Sequence, residues 1–160
     1  GSTSGGIVSS IDLLPTLATL AGSAAPDDRV TDGLDCWPLL RDPAADSPRE
    51  TFYYYFRDEL DAVRCGTWKL FVRRRGEQVN ELYDLENDIG ETTNLFDSRP
   101  DVVAELQKHV QAARDDLGDK AVGAEGNCRP IGQVDQGVPL TSYDPADPYI
   151  VSEYDLPQRG

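Results

Sequence analysis

From Thr51 to Leu117 the chain passes through several short β-prone runs joined at glycines and then one long amphipathic stripe, and few arrangements satisfy that order. Thr51-Phe-Tyr-Tyr-Tyr-Phe56 is aromatic and strand-like, and Ala62–Cys65, Trp68–Arg73 and Glu81–Leu85 follow with Gly66 and Gly76 at the joins. These predict an antiparallel meander of about four short strands, a usual size for a small sheet. Ser98-Arg-Pro-Asp101 then opens a helix with a serine cap, an early proline and an acid three residues after the serine. Val102, Val103, Leu106, Val110, Ala113 and Leu117 make one apolar stripe that runs to Gly118, so this helix can cover one face of the meander.

Earlier in the chain, Ile11-Asp-Leu-Leu-Pro-Thr-Leu-Ala-Thr-Leu-Ala-Gly22 predicts a second helix, capped by Ser9, Ser10 or Asp12 and stopped at Gly22. Ile11, Leu14, Leu17, Ala18 and Ala21 hold helical spacing, but Leu13 and Leu20 make the other side apolar too. Such a helix needs cover on most of its circumference. Residues 23–50 hold Pro26, Gly33, Pro38, Pro43 and Pro48 among many aspartates and predict an irregular ordered connector, pinned by Trp37, Leu39 and Leu40. Gly1–Gly6 reads as a tag-like flexible lead, and residues 119–160, with Gly, Pro, Asp and isolated Tyr, as a tail laid over a surface. The expected fold class is α+β: a small antiparallel four-stranded sheet packed by one C-terminal helix, with a preceding helix that belongs to something larger.

A formal net charge of −14 over 160 residues repels phosphate backbones and anionic headgroups alike, which argues against nucleic-acid and membrane partners. No apolar run approaches the roughly 20 residues that span a bilayer. The three cysteines, Cys36, Cys65 and Cys128, show no metal-knuckle spacing, and neither their pairing nor the redox compartment follows from the sequence.

Several pieces, taken in order, resemble the carboxy-terminal region of the sulfatase family. They are Val8-Ser-Ser-Ile-Asp-Leu-Leu-Pro-Thr-Leu17 with Leu20-Ala-Gly22, Asp32-Gly-Leu-Asp-Cys-Trp-Pro-Leu-Leu40, Ala62-Val-Arg-Cys-Gly-Thr-Trp-Lys-Leu70, Glu81-Leu-Tyr-Asp-Leu85 and the turn from Asp88 to Leu95. Cys36 and Ile89 depart from the family's usual aliphatic residue and proline. The resemblance implies that residues 7–50 are the last helix and connector of an α/β catalytic domain, that 51–118 are the smaller closing subdomain, and that 119–160 extend beyond it. It implies hydrolysis of sulfate esters by a formylglycine nucleophile, with a divalent cation, usually calcium, on the sulfate oxygens. The formylglycine precursor is C/S-x-P-x-R. Cys128-Arg-Pro-Ile-Gly132 imitates it, but Gly132 stands where arginine belongs, so it is read as a decoy. By the same resemblance the metal ligands fall outside this stretch, no catalytic or metal residue is assigned within it, and the substrate-binding residues stay unknown. The partner expected is the sulfatase catalytic domain, in the same chain or as a separate one. Calcium is expected in the full-length parent and no cofactor in this stretch. A secreted, periplasmic or lysosomal setting is expected for the parent.

Individual residues read more plainly. His109 lies beside the apolar stripe and is taken as a boundary residue rather than a catalyst. Arg64 and Lys69 could reach an anionic substrate, but pairing with Asp61, Glu81 or Asp84 is the expected use. Arg73-Arg-Arg75 could grip sulfate oxygens, yet it abuts Gly76 and Glu77 and is expected to be a solvated turn. The rings of Phe52–Phe56 should divide between core and a neighbouring surface. Tyr143, Tyr149, Tyr154, Asp144, Asp147 and Asp155 lack a calcium-loop pattern. Asp12 is expected to cap its helix rather than bind metal. The reading is the C-terminal portion of a sulfatase, structural in role, completing the core and framing the cleft. The alternatives are an acidic protein-interaction module and a matured small chain bound to a catalytic sulfatase chain.

Overall fold

The computed structural model describes residues 2–25, 27 and 31–127. Its centre is a four-stranded sheet, β1 (Thr51–Phe56), β2 (Glu59–Cys65), β3 (Trp68–Arg74) and β4 (Glu77–Asp84), in the order β1-β2-β3-β4 with every pair antiparallel. Two-residue loops join the strands, and their first residues, Arg57, Gly66 and Arg75, all have positive φ. That twist matches the strands it connects. It also lets β2 and β4 begin at Glu59 and Glu77, earlier than the apolar pattern suggests, because charged residues occupy those first turns of strand.

The loop after β4 folds back on the sheet. Asn94 Oδ1 accepts from Leu82 N at 3.0 Å and Leu95 N donates to Leu82 O at 2.8 Å, so the outer edge of β4 is partly paired rather than left open. The chain then enters a long helix, α3 by chain order (Pro100–Leu117). Leu106, Val110 and Ala113 pack on Leu60, Val63, Leu70 and Leu82 of the sheet, with Tyr53, Tyr55 and Trp68 at the margins. Tyr55 donates its hydroxyl to Gly118 O at 2.7 Å, which fixes the far end of the helix, and burial pushes the Tyr55 phenol up to about 12. Gly118 has φ +86, and a Cβ there would meet Glu125 O at 2.8 Å.

Two details of this helix differ from expectation. Ser98 does not cap it, since its hydroxyl donates to Leu95 O and the helix begins at Pro100 after Arg99. Leu117 ends the stripe 40% exposed, because the last turn overhangs the sheet. Residues 119–127 fold back on that end: Asp119 is buried and bridged to Ala124, and Asn127 N donates to Asp115 O.

The amino-terminal part carries a 3-10 turn (Ser10–Asp12) leading into α1 (Leu13–Leu20), and a short helix α2 (Trp37–Arg41). Of the three residues expected to pin the connector, only Leu39 is buried; Trp37 and Leu40 are exposed, and Cys36 is the second anchor. Among the described residues no helix is long and apolar enough to cross a membrane.

Candidate functional site

α1 is built inside out. Its enclosed positions are polar, Asp12 and Thr16, while Ile11, Leu13, Leu14, Leu17 and Leu20 are 47% to 61% exposed. The reason lies in Asp12. Its carboxylate accepts from Ser9 N at 2.8 Å, as in a capping box, and from Leu34 N at 2.9 Å. Arg49 closes on it with both Nε, at 3.3 Å, and Nη2, and the same Nη2 donates to Asp32 O at 2.7 Å. Burial disfavours the Asp12 charge, but these hydrogen bonds and the Arg49 guanidinium outweigh it and hold the carboxyl below its ordinary value. Thr16 continues the polar seam, donating to Asp12 O at 2.6 Å and accepting from Cys36 N at 2.9 Å. The expected cap is therefore also the ionic centre that ties three distant segments together.

The sheet face opposite α3 is the second candidate. Phe52 and Tyr54 stack edge to face at 5.0 Å, and Phe71 and Tyr83 at 6.1 Å. Lys69 Nζ sits 4.5 Å from the ring centres of both Tyr54 and Phe71, and the Arg74 guanidinium 4.0 Å above Phe71. Glu91 bridges the two cations, at 2.6 Å from Lys69 and 3.1 Å from Arg74. It does so from a left-handed backbone conformation, φ 53, whose cost of roughly 1 kcal/mol the two ion pairs offset. Arg74 also reaches Glu81, which accepts the Tyr83 hydroxyl at 3.2 Å. Among the described residues the buried Arg74 Nε has no hydrogen-bond partner, and its guanidinium lies over the Phe71 ring.

The expected pairings are thereby corrected. Lys69 pairs with Glu91 rather than with Asp61, Glu81 or Asp84, because the Asp88–Leu95 turn brings that acid onto the sheet. Arg64 pairs with no carboxylate among the described residues; it donates to Gly66 O and Gly5 O. The Arg73–Arg75 run is not a uniformly solvated turn. Arg73 lies 3.7 Å from Glu59, Arg74 is held as above, and only Arg75 is exposed. His109 is half-buried on α3, at the margin of the stripe. Burial raises the Asp61 carboxyl above its ordinary range, with Arg73 opposing. Cys128, Gly132 and the tail tyrosines and aspartates lie outside the described residues.

Arg49, Glu91 and Asp119 were not singled out by sequence reasoning. Arg49 and Asp12 are 37 residues apart, and a lone arginine before a strand carries no local sign of such a partner. Asp12 did carry one, the Ser9-x-x-Asp12 spacing.

Comparison with known proteins places this arrangement. The family described as N-sulphoglucosamine sulphohydrolase, C-terminal, matches residues 1–116. The chain is 35% identical to arylsulfatase A of Bos taurus over 130 residues, covering 66% of this chain and 25% of that protein. It is 39% identical to the arylsulfatase of Hemicentrotus pulcherrimus over 80 residues, covering 50% and 14%. A solved structure, Ps i-CgsB in complex with k-i-k-neocarrahexaose, superposes with a TM-score of 0.54 at 25% identity, covering 67% of this chain and 24% of that one. The chain thus spans 14% to 25% of the length of these relatives. It belongs to the N-sulphoglucosamine sulphohydrolase C-terminal family and is a sulfatase C-terminal domain.

Proposed function

We propose that these residues are the structural C-terminal portion of a sulfuric ester hydrolase, closing the fold of a catalytic domain and framing its cleft rather than carrying out the chemistry. The observation that supports this reading is the inverted α1. A helix that seals a buried ion pair inside and presents a row of leucines outside is adapted to a larger apolar neighbour, since soluble monomers rarely leave such a row uncovered. The sulfatase catalytic domain is the neighbour proposed, either in the same chain or as a separate one. On this division residues 7–50 belong with that domain and 51–118 form the closing subdomain.

In the parent, formylglycine would supply the nucleophile and calcium would neutralise the sulfate oxygens. The residues described do not fit that cation: among them no three His, Cys, Asp or Glu side chains converge where a metal ion could be held. No step of hydrolysis is assigned to them. What this portion supplies is position. Asp12 and Arg49 fix α1 against the strand entrance, and the Lys69–Glu91–Arg74 cluster stiffens the sheet face that carries the aromatic rings.

The test is reconstitution. The purified chain should not turn over an aryl sulfate, and it should co-purify with a catalytic portion bearing C-x-P-x-R and restore that portion's activity. Turnover by the chain alone, abolished by a chelator, would overturn the proposal.

A further inference from the structure

The two edges of the sheet are finished differently. The outer edge of β4 is met by Leu95 and by the Asn94 side chain, which bonds both Leu82 N and Asn80 O. β1 has no such cover. Glu50 O accepts from Gly66 N at 3.1 Å, which turns that carbonyl towards β2, and alternation then turns the N–H and C=O of Thr51, Tyr53 and Tyr55 away from it. Among the described residues no hydrogen bond is made to these outward groups, and β2 is the only strand beside β1. Open edges usually carry a charge, a proline or a bulge that blocks pairing. Thr51–Phe56 carries no charge and no proline, and the bulge beside it falls on the neighbour. Tyr54 faces Ala62 and Tyr55 faces Leu60, so the extra residue is Asp61 of β2 and β1 alternates unbroken.

The sequence of this edge reads the same in both directions about Tyr54. Phe52-Tyr-Tyr-Tyr-Phe56, laid antiparallel to itself with Tyr54 on a twofold axis, sets Phe52 against Phe56, Tyr53 against Tyr55 and Tyr54 against Tyr54. A contact between identical surfaces has to be self-complementary in this way. Opposed residues of an antiparallel ladder share a face, and the faces agree: Phe52, Tyr54 and Phe56 alternate onto the side away from α3, Tyr53 and Tyr55 onto the α3 side. The backbone agrees as well, since the outward groups of Tyr53 and Tyr55 meet across the axis. Phe56, 59% exposed in the single chain, gains the Phe52 ring of the other copy as a cross-strand neighbour. A strand of 6 residues is about 20 Å long, a small contact, and each copy carries a charge of −14. The association is therefore transient, and charge opposes it.

We propose that β1 pairs with β1 of a second copy of this chain, so that two four-stranded sheets join into one continuous antiparallel sheet. The inference uses none of the α1 leucines and does not rest on the catalytic partner proposed above. Sedimentation equilibrium of the full chain over a roughly hundredfold range of concentration should show a monomer–dimer equilibrium that tightens with added salt, as screening of like charges requires. Between the two ends of that range, hydrogen exchange should slow at the amides of Tyr53 and Tyr55 and stay unchanged at Phe52 and Tyr54, which face β2. Phe56→Lys puts a charge on the edge and should weaken dimerisation about tenfold with the melting temperature unchanged. Leu14→Lys with Leu17→Lys should leave the dimer intact. Tyr54→Cys reads the register directly and decides the matter if Phe56→Lys does not fold. It places a thiol on the axis in a non-hydrogen-bonded pair, about 4.5 Å between Cα atoms, so mild oxidation should link two copies through residue 54. A chain that stays monomeric throughout, a dimer that salt dissociates, or equal slowing at all four amides would each overturn the proposal. So would undiminished dimerisation of folded Phe56→Lys, loss of the dimer in the leucine variant, or no link through residue 54.

Discussion

α1 and α3 are both amphipathic, yet they are buried in opposite senses. α3 turns Leu106, Val110 and Ala113 inward and its charged residues outward, the arrangement of a helix that completes a core within its own chain. α1 turns Asp12 and Thr16 inward and leaves Leu13, Leu14, Leu17 and Leu20 outside. The difference separates two kinds of stability in one molecule. The sheet and α3 are held chiefly by apolar contact, with the Arg114–Asp119 pair added at the end of the helix, whereas among the described residues the amino-terminal segment is held chiefly by the Asp12–Arg49 pair and its hydrogen bonds. An apolar contact tolerates changes of pH and salt, whereas a buried pair depends on both partners being present and charged.

The sharpest way to break the comparison is to remove one partner of that pair. Arg49→Met leaves the Asp12 carboxylate enclosed and uncompensated, which should cost about 3–5 kcal/mol of the local stability of α1. Hydrogen exchange should show α1 and residues 31–36 losing protection while β2, β3 and α3 keep theirs. Equal loss across both regions would mean that the two helices share one cooperative unit.

Leu106→Ala probes the other side. A leucine 3% exposed at the helix–sheet contact should cost about 2–5 kcal/mol when truncated, measured by urea unfolding, and the effect should spread through the whole sheet. Protection of α1 should change little.

Acid separates the two regions without mutation. The folded Asp12 carboxyl lies below its ordinary value, so its contribution is fully present above the unfolded pKa of about 3.9 and is lost as pH falls through the folded value. Below about pH 4, α1 should therefore loosen before α3, and Arg49→Met should remove that dependence. Other carboxylates titrate in the same range, among them Asp101, held at about 2 by Arg99, so the readout must be the residue-resolved exchange of α1 rather than global unfolding.

How much of this was legible in the sequence follows the same division. The sheet and α3 announce themselves through local patterns: aromatic and β-prone runs are joined at Gly66 and Gly76, and Val102 to Ala113 repeat at helical spacing. The inside-out character of α1 was half visible, since Leu13 and Leu20 already made the helix too apolar for one partner. Which side the chain covers was not visible, because it is decided by Arg49 and Leu34, far along the chain. The candidate sites were less legible for the same reason. Lys69 and Arg74 find Glu91 only because a turn carries it back across the sheet.

Smaller effects sharpen the contrast at the helix surfaces. Leu14→Lys with Leu17→Lys should change the chain's own stability by less than about 0.5 kcal/mol per site, since neither leucine is covered, and should raise solubility. The same pair should abolish co-purification with the catalytic portion. A large loss of stability would show that this leucine row already has a partner within the chain.

The smallest change is expected where the sequence pointed most confidently. Ser98 sits where a cap belongs, and a working serine cap loses about 0.5–2 kcal/mol on mutation to alanine. Here the Ser98 hydroxyl donates to Leu95 O at 3.1 Å, and Arg99, donating to Asp101 from both Nε and Nη2, occupies the start of α3 instead. Ser98→Ala should therefore cost less than about 0.5 kcal/mol in urea unfolding, the range of an ordinary surface substitution. A cost near that of a true cap would mean that in solution the hydroxyl turns to the helix N-terminus, lengthening α3 by its first residues. α3 would then be stabilised by a local polar device as well as by its apolar face, and the separation between an apolar helix contact and a polar one would be less complete than the two helices suggest.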